Sequence, residues 1–229
     1  MKICAVIVAA GNSTRMMSGA SKLLMTVNGE PVLRHTLRAF DRAACIDEIV
    51  VVTRACDFDM VRETMQGIEK PVHLAEGGAA RQDSVANGVA LCGDADYIAV
   101  HDGARPMITP ELIEQVCADA QKYGAATLAV PVKDTIKVAS ATNFVEGTPD
   151  RAVLRTIQTP QVFHLPLYRK ALELAAAEGK QYTDDCQLIE NAGGSVYLTM
   201  GDYRNIKITT PEDLAVAEAF FKERKENEE

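Results

Sequence analysis

The sequence has no C-x-x-C pair, although it carries six cysteines. Cys4, Cys45, Cys56, Cys92, Cys117 and Cys186 are scattered, most of them inside apolar runs. They are expected to be small buried hydrophobes in a reducing cytoplasm rather than disulfides or a metal site. No apolar stretch approaches the roughly 20 residues needed to cross a bilayer. The apolar opening is only strand-length, follows a single lysine, and runs into Gly11 without a cleavage-site pattern, so it does not read as a signal peptide. Positive charge is also scarce: 24 Lys and Arg stand against 32 Asp and Glu, a formal charge of -8. That balance disfavours a nucleic-acid or anionic-membrane partner, which is usually held by a dominant basic field. A small anionic ligand stays compatible, because a few cations focused in a cleft outweigh the mean charge. Finally, neither G-x-G-x-x-G nor a glycine loop ending in G-K-[ST] occurs, which weakens nicotinamide and P-loop readings.

What is present is a soluble-globular balance, 47% apolar and 24% charged over 229 residues, expected to form one domain spanning 1–229. Short β-branched runs at 3–8, 48–53, 72–74 and 97–100 alternate with helix-like segments at 31–43, 57–66, 82–91 and 110–123. This rhythm predicts an α/β fold around a mainly parallel sheet. Thr109-Pro110-Glu111 and Thr210-Pro211-Glu212-Asp213 read as helix starts, each with a capping hydroxyl, a proline and early carboxylates. After a run at 125–132 the pattern changes. Two short alternating stretches, 135–138 and 153–157, flank a polar turn and suggest a protruding hairpin, an arm at approximately 133–158. Helices at 166–178 and 184–192, strands at 195–200 and 205–208, and a last helix from Pro211 complete the expectation.

In an open α/β sheet, ligands sit at the carboxyl ends of strands, so the loops that follow strands are the informative ones. Four stand out. In Ala9-Ala10-Gly11-Asn12-Ser13-Thr14-Arg15-Met16, small residues let backbone N–H groups approach a phosphate, and Arg15, with Lys22 shortly after, adds fixed positive charge suited to a triphosphate. A plain strand-to-helix turn with solvated cations is the alternative. Glu76-Gly77-Gly78-Ala79-Ala80-Arg81-Gln82-Asp83-Ser84 enters a helix; Asp83 and Ser84 either cap its first turn or help read a base, with Arg81 closing over it. In Val100-His101-Asp102-Gly103-Ala104-Arg105-Pro106 an acid and a base lie three residues apart; Asp102 suits substrate hydroxyls or hydrated Mg²⁺, and Arg105 suits a phosphate. An internal Asp–Arg pair that fixes the turn is equally open. His101 reads as structural, since no cysteine or serine nucleophile pattern accompanies it. The fourth loop, 202–209, places Lys207 between apolar neighbours on an expected late strand, where a lysine usually faces solvent.

These segments, together with Val132-Lys133-Asp134-Thr135, Asp150-Arg151, Thr159-Pro160-Gln161 and Thr183-Asp184, occur in an order that resembles the 2-C-methyl-D-erythritol 4-phosphate cytidylyltransferases of the non-mevalonate isoprenoid pathway, over essentially the whole chain. The resemblance implies a nucleotidyltransferase-type, Rossmann-like three-layer sandwich whose β-arm hooks a partner subunit to make a homodimer. It implies transfer of CMP from CTP to methylerythritol phosphate, with Mg²⁺ held mainly by the CTP phosphates and Asp102 its one candidate protein ligand. Ala10, Gly11, Gly78, Asp83 and Ser84 resemble the cytidine pocket, with Arg81 beside it. Arg15 and Lys22 resemble the triphosphate clamp. Asp102, Arg105, Thr159 and Lys207 resemble the near side of the acceptor site, and Thr135 and Arg151 resemble residues lent to it by the other subunit, so that Arg15, Lys22, Arg151 and Lys207 would carry catalysis. Two departures are visible: Ser21 precedes Lys22 where many relatives have proline, and Gly103 stands where alanine is frequent. A ribitol 5-phosphate cytidylyltransferase, whose third motif more often reads H-D-S-V-R, and a non-catalytic nucleotide-binding protein on the same fold are the rival expectations.

Overall fold

The structure is a computed structural model that describes residues 1–11 and 22–228. Its strands are β1 Ile3–Val8, β2 Thr26–Val27, β3 Glu30–Pro31, β4 Glu48–Thr53, β5 Val72–Glu76, β6 Tyr97–Asp102, β7 Ala125–Pro131, β8 Val138–Ala139, β9 Val145–Gly147, β10 Arg155–His164 and β11 Tyr197–Met200. The helices are α1 Val32–Arg42, α2 Phe58–Thr64, α3 Arg81–Val89, α4 Pro110–Tyr123, α5 Leu165–Ala177, α6 Asp185–Asn191 and α7 Pro211–Glu228.

Seven strands form one sheet in the order β11-β7-β10-β6-β1-β4-β5. β10 runs antiparallel to both its neighbours, and every other pair is parallel. Continuous apolar runs suit such strands because both faces are covered. Strand alternation then divides the core in two. Ile3, Ala5 and Ile7 pack with Leu33, Phe40, Val116 and Phe221 on one face, while Cys4 and Val6 pack with Val85, Phe163, Tyr168 and Ile189 on the other. Helices α1, α4 and α7 therefore cover one side and α3, α5 and α6 the other, the expected three-layer sandwich.

Helix α4 begins as its sequence predicts: Thr109 caps it by accepting from the Leu112 N–H at 3.4 Å, and Gly124 ends it at φ 87. At α7 the cap comes from inside the helix, where Asp213 Oδ2 accepts from the N–H groups of Thr209 and Thr210. The small β2–β3 hairpin turns through Asn28 and Gly29, both at positive φ, the backbone that this dipeptide favours.

Three expectations need correction. The arm's strands are β8 and β9, not 135–138 with 153–157; residues 155–157 instead enter the main sheet opposite 129–131. Residues 205–208 form no strand, because Asn205 is held by side-chain hydrogen bonds and Ile208 N–H donates to Ala104 O at 2.8 Å. Among the cysteines, Cys56 is exposed and Cys45 half-buried, the former on a short 3-10 turn rather than in an apolar run. No helix among the described residues is long and apolar enough to cross a membrane.

Candidate active site at the carboxyl end of the sheet

The chain proceeds from β1 outward to β4 and β5, then returns to the other side of β1 with β6. Ligands of such sheets lie outside the strand ends where this reversal occurs. Three loops are tied together there. Gly103 N–H donates to Val8 O at 3.0 Å, Gly77 N–H to Thr53 O at 2.9 Å, and Ala9 N–H to Val52 O at 2.7 Å. A Cβ on Gly77 would collide with the Ala10 side chain, and one on Gly78 with Asp83. The glycine pair is thus required by close approach: its backbone lies directly against Ala10 and against the start of α3.

Asp83 and Ser84 perform the capping alternative. Asp83 Oδ2 accepts from Ala80 N–H at 3.0 Å; Ser84 Oγ accepts from Gly78 N–H and donates to Ala80 O, each at 3.0 Å. They thereby fix the shape of a small-residue cradle in which the glycine loop packs against Ala10, with Gly11 next in the chain. Arg15 lies outside the described residues, and Lys22 is described only as the first residue of a 3-10 turn, Lys22–Leu24.

The acceptor-side candidates do converge. Asp102, the last residue of β6, is buried, and its Oδ2 lies 2.9 Å from Lys207 Nζ and 3.5 Å from Arg105 Nε, while Oδ1 lies 3.8 Å from Arg81 Nε. Burial pushes the Asp102 carboxyl up, but Lys207, Arg81 and Arg105 outweigh it and hold the group down at about 2. It is an anion throughout the physiological range. Arg105 is aimed by a 2.7 Å hydrogen bond from Nη1 to Asn205 O. Arg81, expected beside the base, instead has its guanidinium between Asp102 and Asp185, on this side of the site.

Thr159 enters through a β-bulge. The pairing of β10 with β7 shifts register between Ile157 and Gln161, so that Gln158 and Thr159 turn toward the cavity that also contains Asp102. Thr159 Oγ1 accepts from Asp102 N–H at 3.1 Å and lies 2.9 Å from His101 Nδ1. His101 is fully buried; burial lowers its imidazole to about 3, so it is neutral and serves the fold, as expected. The cavity, about 690 Å³, is lined by the cations Arg81, Arg105 and Lys207 together with Asp102, Thr183, Asp184 and Gln187.

Thr135 and Arg151 do not line this cavity. They lie on the exposed arm, where Arg151 Nη1 donates to Lys133 O at 2.6 Å. The arm displays apolar side chains to solvent, Phe144 at 75% exposure and Val145 at 62%. Sequence reasoning gave no role to Gln158, Gln161, Tyr168 or Asp185, all of which are buried polar residues around the cavity. Gln161 and the neighbouring Asp184 lay in recognised motifs, the only available signal.

The described residues hold no group of three or more His, Cys, Asp or Glu side chains that could bind a metal ion. Asp102 already faces three cations, so its carboxylate is poorly suited to a fourth.

Comparison with known proteins adds to this geometry. The sequence profile of the 2-C-methyl-D-erythritol 4-phosphate cytidylyltransferase family matches residues 3–223. A protein so named from Caldanaerobacter subterraneus subsp. tengcongensis is 47% identical over 226 residues, covering 97% of this chain and 100% of its own. The crystal structure of 4-diphosphocytidyl-2C-methyl-D-erythritol synthase from Anaerococcus prevotii superposes with a TM-score of 0.88 at 33% identity, covering 96% of this chain and 98% of that one. A 2-C-methyl-D-erythritol 4-phosphate cytidylyltransferase from Thermus thermophilus has a TM-score of 0.77, also at 33% identity and with the same coverage.

Proposed function

The chain belongs to the 2-C-methyl-D-erythritol 4-phosphate cytidylyltransferase family and transfers CMP from CTP to that acceptor in isoprenoid precursor synthesis; we propose that the Asp102 cavity seats the acceptor and the Ala10–Gly78 cradle seats CTP. The observation that carries this assignment is the make-up of the cavity lining. A polyol phosphate needs cations for its phosphate and hydrogen-bonding groups for its hydroxyls, and Arg105 and Lys207 line the same cavity as Thr183 and Asp184.

An acceptor phosphate oxygen attacks the α-phosphorus of CTP in line, and pyrophosphate leaves. No covalent enzyme intermediate is required. Catalysis is positioning and electrostatic stabilisation. Lys207 and Arg105 orient the attacking phosphate, Asp102 holds both cations in place and Thr159 fixes Asp102 through its backbone. Ala10, Gly11, Gly78, Asp83 and Ser84 shape the nucleotide cradle, and Arg15 and Lys22 neutralise the triphosphate. Mg²⁺ enters with the CTP phosphates as part of the substrate.

Pyrophosphate release is expected only when CTP, Mg²⁺ and methylerythritol phosphate are all present. Equal release with ribitol 5-phosphate would move the acceptor assignment, and tight CTP binding without release to any acceptor would favour the non-catalytic reading.

The arm is assigned to a homodimer in which Thr135 and Arg151 complete the neighbouring site. Its exposed Phe144 and Val145, and an Arg151 that does not line its own chain's cavity, support this. Mixing Arg151→Ala with Lys207→Ala, each inactive alone, is expected to restore roughly a quarter of wild-type turnover after subunit exchange, because half the dimers are mixed and one of their two sites is intact. No recovery in demonstrably mixed dimers sinks the shared site. A cytoplasmic location belongs to the same reading, supported by the six free thiols and checked by cell fractionation.

A further inference from the structure

Behind the cavity wall lies a buried polar network that the reaction as described does not use. Asp185, the first residue of α6, is 1% exposed. Its Oδ2 accepts from Arg81 Nη1 at 2.7 Å and its Oδ1 from the Tyr168 hydroxyl at 2.6 Å. Its N–H donates to Gln161 Oε1 at 3.0 Å, and Gln161 Nε2 donates to Asp184 Oδ2 at 3.0 Å. A buried ion pair is a poor way to stabilise a fold, since apolar residues of the same volume usually do as well or better. Its geometry offers a different reason. Among the described residues, Arg81 is the one side chain ion-paired with both Asp185 and Asp102, and it makes the short contact with Asp185 while standing 3.8 Å from Asp102.

We propose that Asp185 is a positioning residue for the acceptor phosphate: by holding the Arg81 guanidinium back, it leaves the Asp102 carboxylate to Lys207 and Arg105. Tyr168 fixes the rotamer of Asp185, and Gln161 fixes the start of α6 that carries it. Without Asp185, Arg81 is drawn onto Asp102 in a two-toothed pair, the geometry guanidinium and carboxylate prefer. Lys207 then loses its 2.9 Å partner and the phosphate its aligned cation. The inference rests on the acceptor reading of this cavity.

Asp185→Asn is expected to raise the acceptor KM roughly tenfold to a hundredfold, the scale for a group displaced by about 1 Å, and to leave the CTP KM unchanged. Tyr168→Phe, which removes one hydroxyl, should shift the acceptor KM in the same direction by less, and it carries the test if Asp185→Asn does not fold. In an Arg81→Gln background the further change Asp185→Asn should add little, because Asp185 acts through Arg81. Equal effects on both KM values, or full additivity in that cycle, overturns the proposal. Lys207→Ala separates the layers: if it leaves acceptor kinetics unchanged, the acceptor reading itself falls; if it impairs them while Asp185→Asn does not, only the positioning role falls.

Discussion

Replacing Lys207 with alanine is expected to lower kcat/KM for the acceptor by about a hundredfold or more, with CTP binding nearly intact. Removing one preorganised charge that faces developing negative charge costs roughly 3 kcal/mol of barrier, which is that factor in rate. The structure gives two reasons for an effect at the upper end. Lys207 has its Nζ 2.9 Å from Asp102, so the ammonium is held in one place before substrate arrives. Its removal also leaves Asp102 less well neutralised, an anion facing the incoming phosphate. Lys207→Arg should recover only part of the loss, since a planar fork does not reproduce a compact ammonium. Near-wild-type turnover of Lys207→Ala at subsaturating acceptor would remove Lys207 from the mechanism.

The second large effect concerns stability and pH. His101 is fully buried, touches Thr159 Oγ1 through Nδ1, packs against Phe40 at 5.0 Å between ring centroids, and has no partner for Nε2 among the described residues. Burial therefore lowers its pKa from the ordinary 6.5 to about 3. The unfolded chain takes up a proton near pH 6.5 while the folded protein does not until about 3. Stability from this group is thus complete above 6.5 and falls as pH drops toward 3, by about 1.4 kcal/mol per pH unit. Between pH 7 and 5 the loss should be on the order of 2 kcal/mol. His35, whose pKa burial also lowers, adds to the same trend. Comparison with His101→Gln isolates the effect: denaturant midpoints should fall less steeply with acid in the variant, even though it is less stable at pH 7. Parallel curves would falsify the assignment. Asp102 contributes in a different window, its stabilisation being present above the ordinary 3.8 and lost only as pH falls through about 2.

Much of this site was legible in the sequence because its parts follow strands. Asp102, Arg105 and Thr159 were expected to meet, and they do, at the end of β6. Lys207 joins them although the strand predicted for it is absent; Asn205, bonded to Thr159 O at 3.0 Å, positions the segment where a ladder was expected. The extent of β10 was illegible because Pro160 lacks the N–H that an interior strand requires, which argues for ending the strand before it. The protein accommodates the proline within a bulge, and the same bulge delivers Thr159. Tyr168 was hidden for another reason. Within an amphipathic helix a tyrosine reads as core, and nothing local shows that its hydroxyl meets a carboxylate 17 residues on, or that this carboxylate meets an arginine 104 residues back.

The arm leaves the sheet after Pro131 and returns at Arg155, and these two residues face each other across the β7–β10 ladder. Both ends of the excursion are therefore stapled side by side before it begins. Closing such a loop costs an entropy that grows only slowly with its length, so residues can be added, removed or exchanged within it while the strands beside it keep their register. The proposed subunit pairing, with the residues it would lend, is in this sense a detachable module: a lineage could retune which copy it pairs with, and how its acceptor is gripped from outside, while the core strands stay as they are.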